Sequence, residues 1–349
     1  MELDRAVGDA IDRTRPRPGL LVVGATDGGE AAVASAGSVP GPAGSPERAM
    51  FEIGSVTKVF TSLLLAIAVQ RGEVGLDDSL AEHLPPGSQV PGRGDAEITL
   101  LHLATHRSGL PRLPPRFLWE ALRHRDDPYA LLTTERVLEA LSRTRLKSAP
   151  GKRFGYSNFG GGLLGVALSH SAGADFETLV RDRIALPLGM KDTIVTLDDD
   201  QRSRLAPGTK GGGKPAGPWT LTGLAGAGAL RSTVTDLLTF VRAQVSALRS
   251  GLIPELAAAI EMTHVERAKG GRLAPALRIG LGWMLLPIGR QKLETIWHNG
   301  GTGGYRSYVG VAPSIDAGVV VLSSNVRSVD PVGTRVLLDL AVLEGGGHG

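Results

Sequence analysis

The chain has 349 residues, 42% of them hydrophobic and 21% charged, which is ample core material for one large domain or two closely joined ones. Its formal charge of +3 comes with dispersed arginines and no long run of like charge, which argues against a nucleic-acid partner. There is no cysteine, so disulfides, a thiol nucleophile and thiolate metal sites are excluded.

Leu3 to Arg13 reads as a helix, stopped by Pro16 and Pro18. The first ten residues are charged and carry no apolar h-region, so no secretory signal is read there. Apolar runs such as Leu63 to Val69 are too short to span a bilayer. A cytoplasmic protein with no membrane partner is the expectation. Leu20 to Ala25 and Ala31 to Ala36, joined through Asp27-Gly28-Gly29, predict a hairpin. Pro40 to Pro46 is a loop, and Met50 to Ile53 is a third strand candidate. Val56 to Gln70 is apolar nearly all round, the pattern of a buried helix.

From about residue 76 to 264 the chain reads as helices among long Pro/Gly loops. The better helix candidates are Val137 to Ser142, Phe159 to Ser169, Phe176 to Ala185 and Thr235 to Leu248, with Gly208 to Pro218 a flexible loop. After about 265, strand-like runs return at Ile279 to Leu286, Leu293 to Trp297, Tyr305 to Val311 and Gly318 to Ser323. Val332 to Leu343 is a closing helix, and Gly345 to Gly349 reads as a disordered end. Strands at both ends with helices between predict an α+β fold. One antiparallel sheet is assembled from both terminal segments and flanked by helices, and a mainly helical lobe is inserted. The expectation is a single domain over 1–349, with 1–75 and 265–349 as the α/β lobe and 76–264 as the helical one. A site belongs in the cleft between them.

Three short motifs carry chemistry. Ser55-Val-Thr-Lys58 opens the buried helix, where positions i and i+3 share a face. A serine needs a nearby base, and a desolvated lysine is one. Read structurally, the pair is a helix-capping serine and a solvated lysine, but the apolar helix beyond Lys58 argues for burial. Tyr156-Ser-Asn158 lies on a loop entering a glycine-rich helix, and the chain holds just 4 tyrosines. Ser157 or Asn158 suits an N-cap, while a phenol beside an ammonium is expected to have a lowered pKa and to act as a base. His298-Asn-Gly300-Gly301-Thr-Gly-Gly-Tyr305 follows a strand candidate. Its glycines let backbone N–H groups approach a substrate, although Asn299-Gly300 is also a strong hairpin signal.

In this order the motifs resemble the penicillin-recognising serine hydrolases: class C β-lactamases, D-alanyl-D-alanine carboxypeptidases and related carboxylesterases. The stretch Leu100-Leu-His-Leu-Ala-Thr-His106-Arg-Ser108-Gly-Leu-Pro111 and the turn Gly226-Ala-Gly-Ala-Leu-Arg-Ser-Thr-Val-Thr-Asp236 resemble further family segments. The resemblance spans about residues 50 to 325 and implies a β-lactamase/transpeptidase-like fold. It implies that Ser55 is acylated, that Lys58 and Tyr156 move its proton, and that Asn158 orients Lys58 and the substrate amide. The N–H groups of Ser55 and Gly301 would form the oxyanion hole, with His298 and Gly300 binding substrate and His106 and Ser108 structural. Where the β-lactamases and carboxypeptidases have Lys-Thr-Gly, this chain has His298-Asn-Gly, as esterases and aminopeptidases of the family often do. A neutral histidine holds a substrate carboxylate less firmly. The expected activity is therefore hydrolysis of an ester or small amide, with no cofactor and no metal. Acyl transfer or peptide cyclisation on the same scaffold, β-lactamase or D-Ala-D-Ala carboxypeptidase activity, and a non-catalytic binding protein are the alternatives. The expected partner is a small-molecule ester, amide or acyl substrate.

Overall fold

The structure, a computed structural model, describes residues 2–15, 17–40, 44–245, 251–271 and 274–346. It begins with helix α1 (Glu2–Asp12), which buries Leu3, Ala6, Val7 and Ala10, the i, i+3, i+4, i+7 spacing of one helical face. Strands β1 (Leu21–Asp27) and β2 (Glu30–Ala36) form the expected hairpin. The sheet they start is completed from the far end of the chain by β5 (Ala268–Lys269), β6 (Arg278–Ile279), β7 (Met284–Ile288), β8 (Leu293–Gly301), β9 (Arg306–Ala312) and β10 (Ala317–Ser323). The order is β2-β1-β10-β9-β8-β7-β6-β5, antiparallel throughout. The two ends of the chain meet where β1 pairs β10, from Leu21 opposite Ser323 to Asp27 opposite Ala317.

Both faces of this sheet are covered, which is why its central strands read as valine runs rather than as an alternation. Leu21, Val23, Val319 and Val321 pack with α1 and with the last helix, α7 (Asp330–Gly346), through Val336, Leu337 and Leu340. On the other face Val22, Val320 and Leu322 meet Val234, Leu237, Phe240 and Val241 of α5 (Val234–Val245). Each such fully buried side chain stabilises the fold by about 1.5–3 kcal/mol relative to exposure. Helix α5 falls inside the 76–264 span predicted for the helical lobe, yet it lies on the sheet. Helix α6 (Pro254–His264) packs against α2 (Thr57–Gln70), the buried helix that follows Ser55. Helices α3 (Asn158–Ala172) and α4 (Ala225–Gly228) face α2 from the remaining lobe. No helix among the described residues is long and apolar enough to cross a membrane.

Three local readings change. Met50 to Ile53 does not join the large sheet. Its Phe51–Glu52 (β3) pairs with Arg231–Ser232 (β4) in a separate two-stranded ribbon. Ile279 to Leu286 is two strands, because Gly282 at φ 72 turns the chain and the N–H of Gly280 donates to the Trp283 carbonyl at 3.0 Å. The run from Leu293 does not stop at Trp297 but continues to Gly301. Asn299-Gly300 is therefore strand, and the turn closes further on, where the N–H of Thr302 donates to the Tyr305 carbonyl at 3.1 Å. The predicted loop at 40–46 and the disordered end at 345–349 fall partly outside the described residues.

Candidate active site

Ser55 sits on a single 3₁₀ turn, Gly54–Val56, at the entrance to α2. The turn is wedged against the end of β8. A Cβ on Gly54, which is at φ 49, would lie 2.7 Å from the Gly301 nitrogen, and one on Gly300 would lie 2.0 Å from the Ile53 carbonyl oxygen. Glycine at these positions is what lets the backbone around Ser55 touch the backbone of β8. The contact is locked by Ser307 Oγ, which donates to the Ile53 carbonyl at 2.7 Å.

Lys58, one turn into α2, is 3% exposed, and its Nζ lies 3.0 Å from Ser55 Oγ. It also donates to the Ala227 carbonyl of α4 at 2.6 Å. Burial, helped by the positive charge of Arg112, holds its pKa well below that of an ordinary lysine. The side chain has room because α3 carries Gly161 against it: a Cβ there would sit 3.0 Å from Lys58 Cε. The Gly160-Gly-Gly162 run is thus inside a helix, where each glycine costs about 1 kcal/mol relative to alanine. The buried lysine and the close helix contacts offset that cost.

Tyr156 precedes α3, whose N-cap is Ser157: its Oγ accepts from the Gly160 N–H at 2.9 Å and donates to the Pro111 carbonyl at 2.7 Å. The tyrosine ring lies 5.1 Å from Lys58 Nζ, and its hydroxyl shares a hydrogen bond with Ser55. Its pKa is pushed up to about 12, because burial outweighs the hydrogen bond with Ser55 and the charge of Arg112. This reverses the lowered value expected from the sequence. The ammonium charge assumed there is itself suppressed by burial, so desolvation of the phenolate dominates.

His298 is 1% exposed and lies behind the cleft rather than in its lining, with its ring 6.2 Å from that of Tyr156. Its Nδ1 is 2.6 Å from the Asn299 carbonyl, which places the proton there and leaves Nε2 bare. Burial and the charge of Lys58 push its pKa down to about 3, against the Asn299 carbonyl. Asn158 lines the cleft and bonds the Tyr129 hydroxyl rather than Lys58.

The cleft itself holds about 600 Å³. Ser55, Tyr156, Asn158, Gly300 and Gly301 line it, and so do Arg112, Tyr129, Trp219, Thr302, Arg306 and Asp330. Of the second group, Thr302 lies within the third motif and Arg306 and Asp330 open β9 and α7, while Arg112, Tyr129 and Trp219 come from loops that the motifs did not single out. A larger hollow of about 710 Å³ lies beyond the neighbouring segment Pro218 to Thr222, but none of the three motifs reaches it. Near Ser55, Asn158 Oδ1 and the Nε2 atoms of His106 and His298 are buried without hydrogen-bond partners among the described residues, as is Arg231 Nε at the larger hollow. His106 is more than filler. Its carbonyl accepts from the Gly155 N–H at 2.8 Å and its Nδ1 from the Ser157 N–H at 3.3 Å, so it grips both neighbours of Tyr156. Its ring lies 4.3 Å from the tyrosine ring.

Comparison with known proteins points the same way. A family model described as Beta-lactamase matches residues 3–343. The chain is 33% identical over 276 residues to the D-alanyl-D-alanine-carboxypeptidase/endopeptidase AmpH of Escherichia coli, covering 77% of this chain and 69% of that protein. It is 29% identical over 311 residues to a beta-lactamase of Pseudomonas fluorescens, with 80% of each covered. Among solved structures, a beta-lactamase/D-alanine carboxypeptidase from Yersinia pestis complexed with citrate aligns with TM-score 0.78 at 25% identity, covering 99% of this chain and 98% of that one. A class C beta-lactamase shares the fold, with TM-score 0.79 at 23% identity over 97% of this chain and 95% of that one.

Proposed function

The chain belongs to the beta-lactamase family of serine hydrolases, and on that premise we propose that it cleaves an ester or small amide through an acyl-enzyme formed on Ser55. The observation that carries this reading is the buried Lys58 Nζ, 3.0 Å from Ser55 Oγ, with its pKa well below the usual lysine range. In its neutral form, which that lowering favours, the amine donates to the Ala227 carbonyl and presents its lone pair to the serine hydroxyl.

Ser55 Oγ attacks the scissile carbonyl carbon as its proton passes to Lys58 Nζ. The carbonyl oxygen becomes an oxyanion that the N–H groups of Ser55 and Gly301 stabilise, a reading supported by the close approach of Gly54 to the Gly301 backbone. Collapse of the tetrahedral intermediate breaks the bond to the leaving group, and the proton held by Lys58 follows it through the Tyr156 hydroxyl. A phenol pushed up to about 12 is neutral at pH 7, so Tyr156 acts as a relay that gives one proton as it takes another, not as a standing phenolate. Water then attacks the acyl-enzyme by the reverse route and frees Ser55. Asn158 orients the acyl group, and Gly300 keeps β8 against the nucleophile turn. Burial keeps His298 neutral and behind the cleft, so it offers no positive charge to a substrate anion.

A fluorophosphonate tests the assignment. Intact mass spectrometry followed by peptide mapping should place one adduct on Ser55, and Ser55→Ala should abolish both labelling and ester turnover. Labelling at another serine overturns it. Turnover of short-chain nitrophenyl esters, a D-alanyl-D-alanine peptide and a chromogenic cephalosporin then ranks the substrates. The ester is expected to be fastest, because His298 supplies no cation to a β-lactam carboxylate. Comparable kcat/KM for ester and cephalosporin would show that the substrate class is wrong while leaving the acyl-enzyme intact.

A further inference from the structure

Two guanidiniums reach the cleft beside Ser55, those of Arg112 and Arg306, and Asp330 supplies a carboxylate to the same lining. Arg306 is engaged. It donates to the carbonyls of Thr302 at 3.0 Å and Tyr305 at 2.7 Å, and it faces the charge of Asp330. Asp330 in turn accepts from Asn299 Nδ2 at 2.7 Å. That end of the cleft is close to neutral.

Arg112 is different. Among the described residues its guanidinium has no carboxylate or hydrogen-bond partner and rests over the Tyr156 ring, 5.1 Å from the centroid. Its backbone, however, is fixed: its carbonyl accepts from the N–H groups of Asn158 at 2.9 Å and Phe159 at 3.2 Å. The residue is therefore held at the lip of the cleft with its charge uncompensated. Of the other basic groups nearby, Lys58, His106 and His298 are buried and do not line the opening, while Arg116 and Lys147 line a separate hollow that Arg112 also borders.

We propose that Arg112 is a specificity-determining residue that selects substrates carrying a carboxylate on the acyl side of the scissile bond, an inference that rests on acylation of Ser55. The side follows from its neighbours. Asn158, which orients the acyl group, bonds the Tyr129 hydroxyl, and the charge of Arg112 acts on both Tyr129 and Tyr156. Trp219 packs against Tyr129, ring centroids 5.1 Å apart, and the two form one aromatic wall of the cleft. A short apolar acyl chain would lie along this aromatic wall, with its terminal carboxylate meeting the guanidinium fork, which is shaped for two parallel hydrogen bonds to a carboxylate. The leaving group departs on the Lys58–Tyr156 hydroxyl side.

The test compares three esters: nitrophenyl hydrogen glutarate, nitrophenyl butyrate, and the butyrate ester of a hydroxybenzoic acid, which places the carboxylate on the leaving group. The glutarate is expected to exceed plain butyrate in kcat/KM by about tenfold or more, the range for a hydrogen-bonded charge. Arg112→Ala should bring that ratio to within about twofold of one, and Arg112→Lys should leave it intermediate. Because the readout is a ratio within one protein, any loss from a disturbed Tyr156 cancels. A ratio near one in the wild type, a ratio that survives Arg112→Ala, or a preference that follows the leaving-group carboxylate overturns the proposal. Binding of the intact glutarate ester and of nitrophenyl butyrate to Ser55→Ala, measured by calorimetry, reads the same preference without turnover. A wrong nucleophile and a wrong role for Arg112 thus give different results.

Discussion

Gly300→Ala tests whether the contact between β8 and the nucleophile turn matters for chemistry. A Cβ at this position would lie 2.0 Å from the Ile53 carbonyl oxygen and 2.3 Å from Ser307 Oγ. The first neighbour is backbone, two residues before Ser55, so it cannot swing aside. To reach even a tight contact, β8 and the Ile53–Ser55 turn must separate by at least about 1 Å. The Ser307 hydroxyl must also give up its hydrogen bond to Ile53, worth about 1 kcal/mol. The separation opens the gap between the Ser55 and Gly301 N–H groups. A misplacement of about 1 Å costs about 10²-fold in rate, or about 2.7 kcal/mol of transition-state stabilisation. The assay is kcat and KM on nitrophenyl butyrate, with a thermal melt and far-UV circular dichroism as controls. We expect kcat to fall by about 10²-fold, KM to change by less than about threefold, and the folded spectrum to persist. A variant within threefold of wild-type kcat would show that the oxyanion donors are not set by this contact.

Tyr156→Phe should keep the ring packed against His106 and remove the relay, lowering kcat by at least about 10²-fold with little change in melting temperature. Lys58→Ala should lower it similarly, and the double variant should lose less than the product of the two, since the groups act as a unit; full additivity refutes the relay. Acid stability reports on His298. Its pKa is about 3 when folded, so between pH 6.5 and 3 the unfolded chain takes up a proton that the folded protein refuses. The stability is complete above pH 6.5 and is lost as pH falls, at about 1.4 kcal/mol per pH unit. Urea melts at pH 6.5, 5.5 and 4.5 should therefore show a shallower decline in His298→Gln by about that slope, and equal slopes would place a solvated histidine at 298.

Much of this protein was legible without coordinates. Strand-like runs at both ends with helices between predicted one antiparallel sheet assembled from both terminal segments, and the structure joins them where β1 pairs β10. The all-round apolar helix after Ser55 predicted a buried Lys58, and the i, i+3 spacing predicted that the two side chains can meet, which they do at 3.0 Å. Where charge and desolvation compete, the sequence was silent or misleading. Tyr156 was expected to be acidified by an ammonium, but the density of apolar atoms around both groups raises the phenol and suppresses that charge. His298 was expected at a substrate anion and lies behind the cleft, because β8 runs on past Trp297 and buries it. Arg112, Tyr129 and Trp219 reach the cleft from segments far apart in the chain with no local pattern. Motif spacing records what one helix or turn can bring together. The dielectric of a site, and which distant loops close it, arise only when separate elements pack, and those decide which way each pKa moves and which cation is left to meet a substrate.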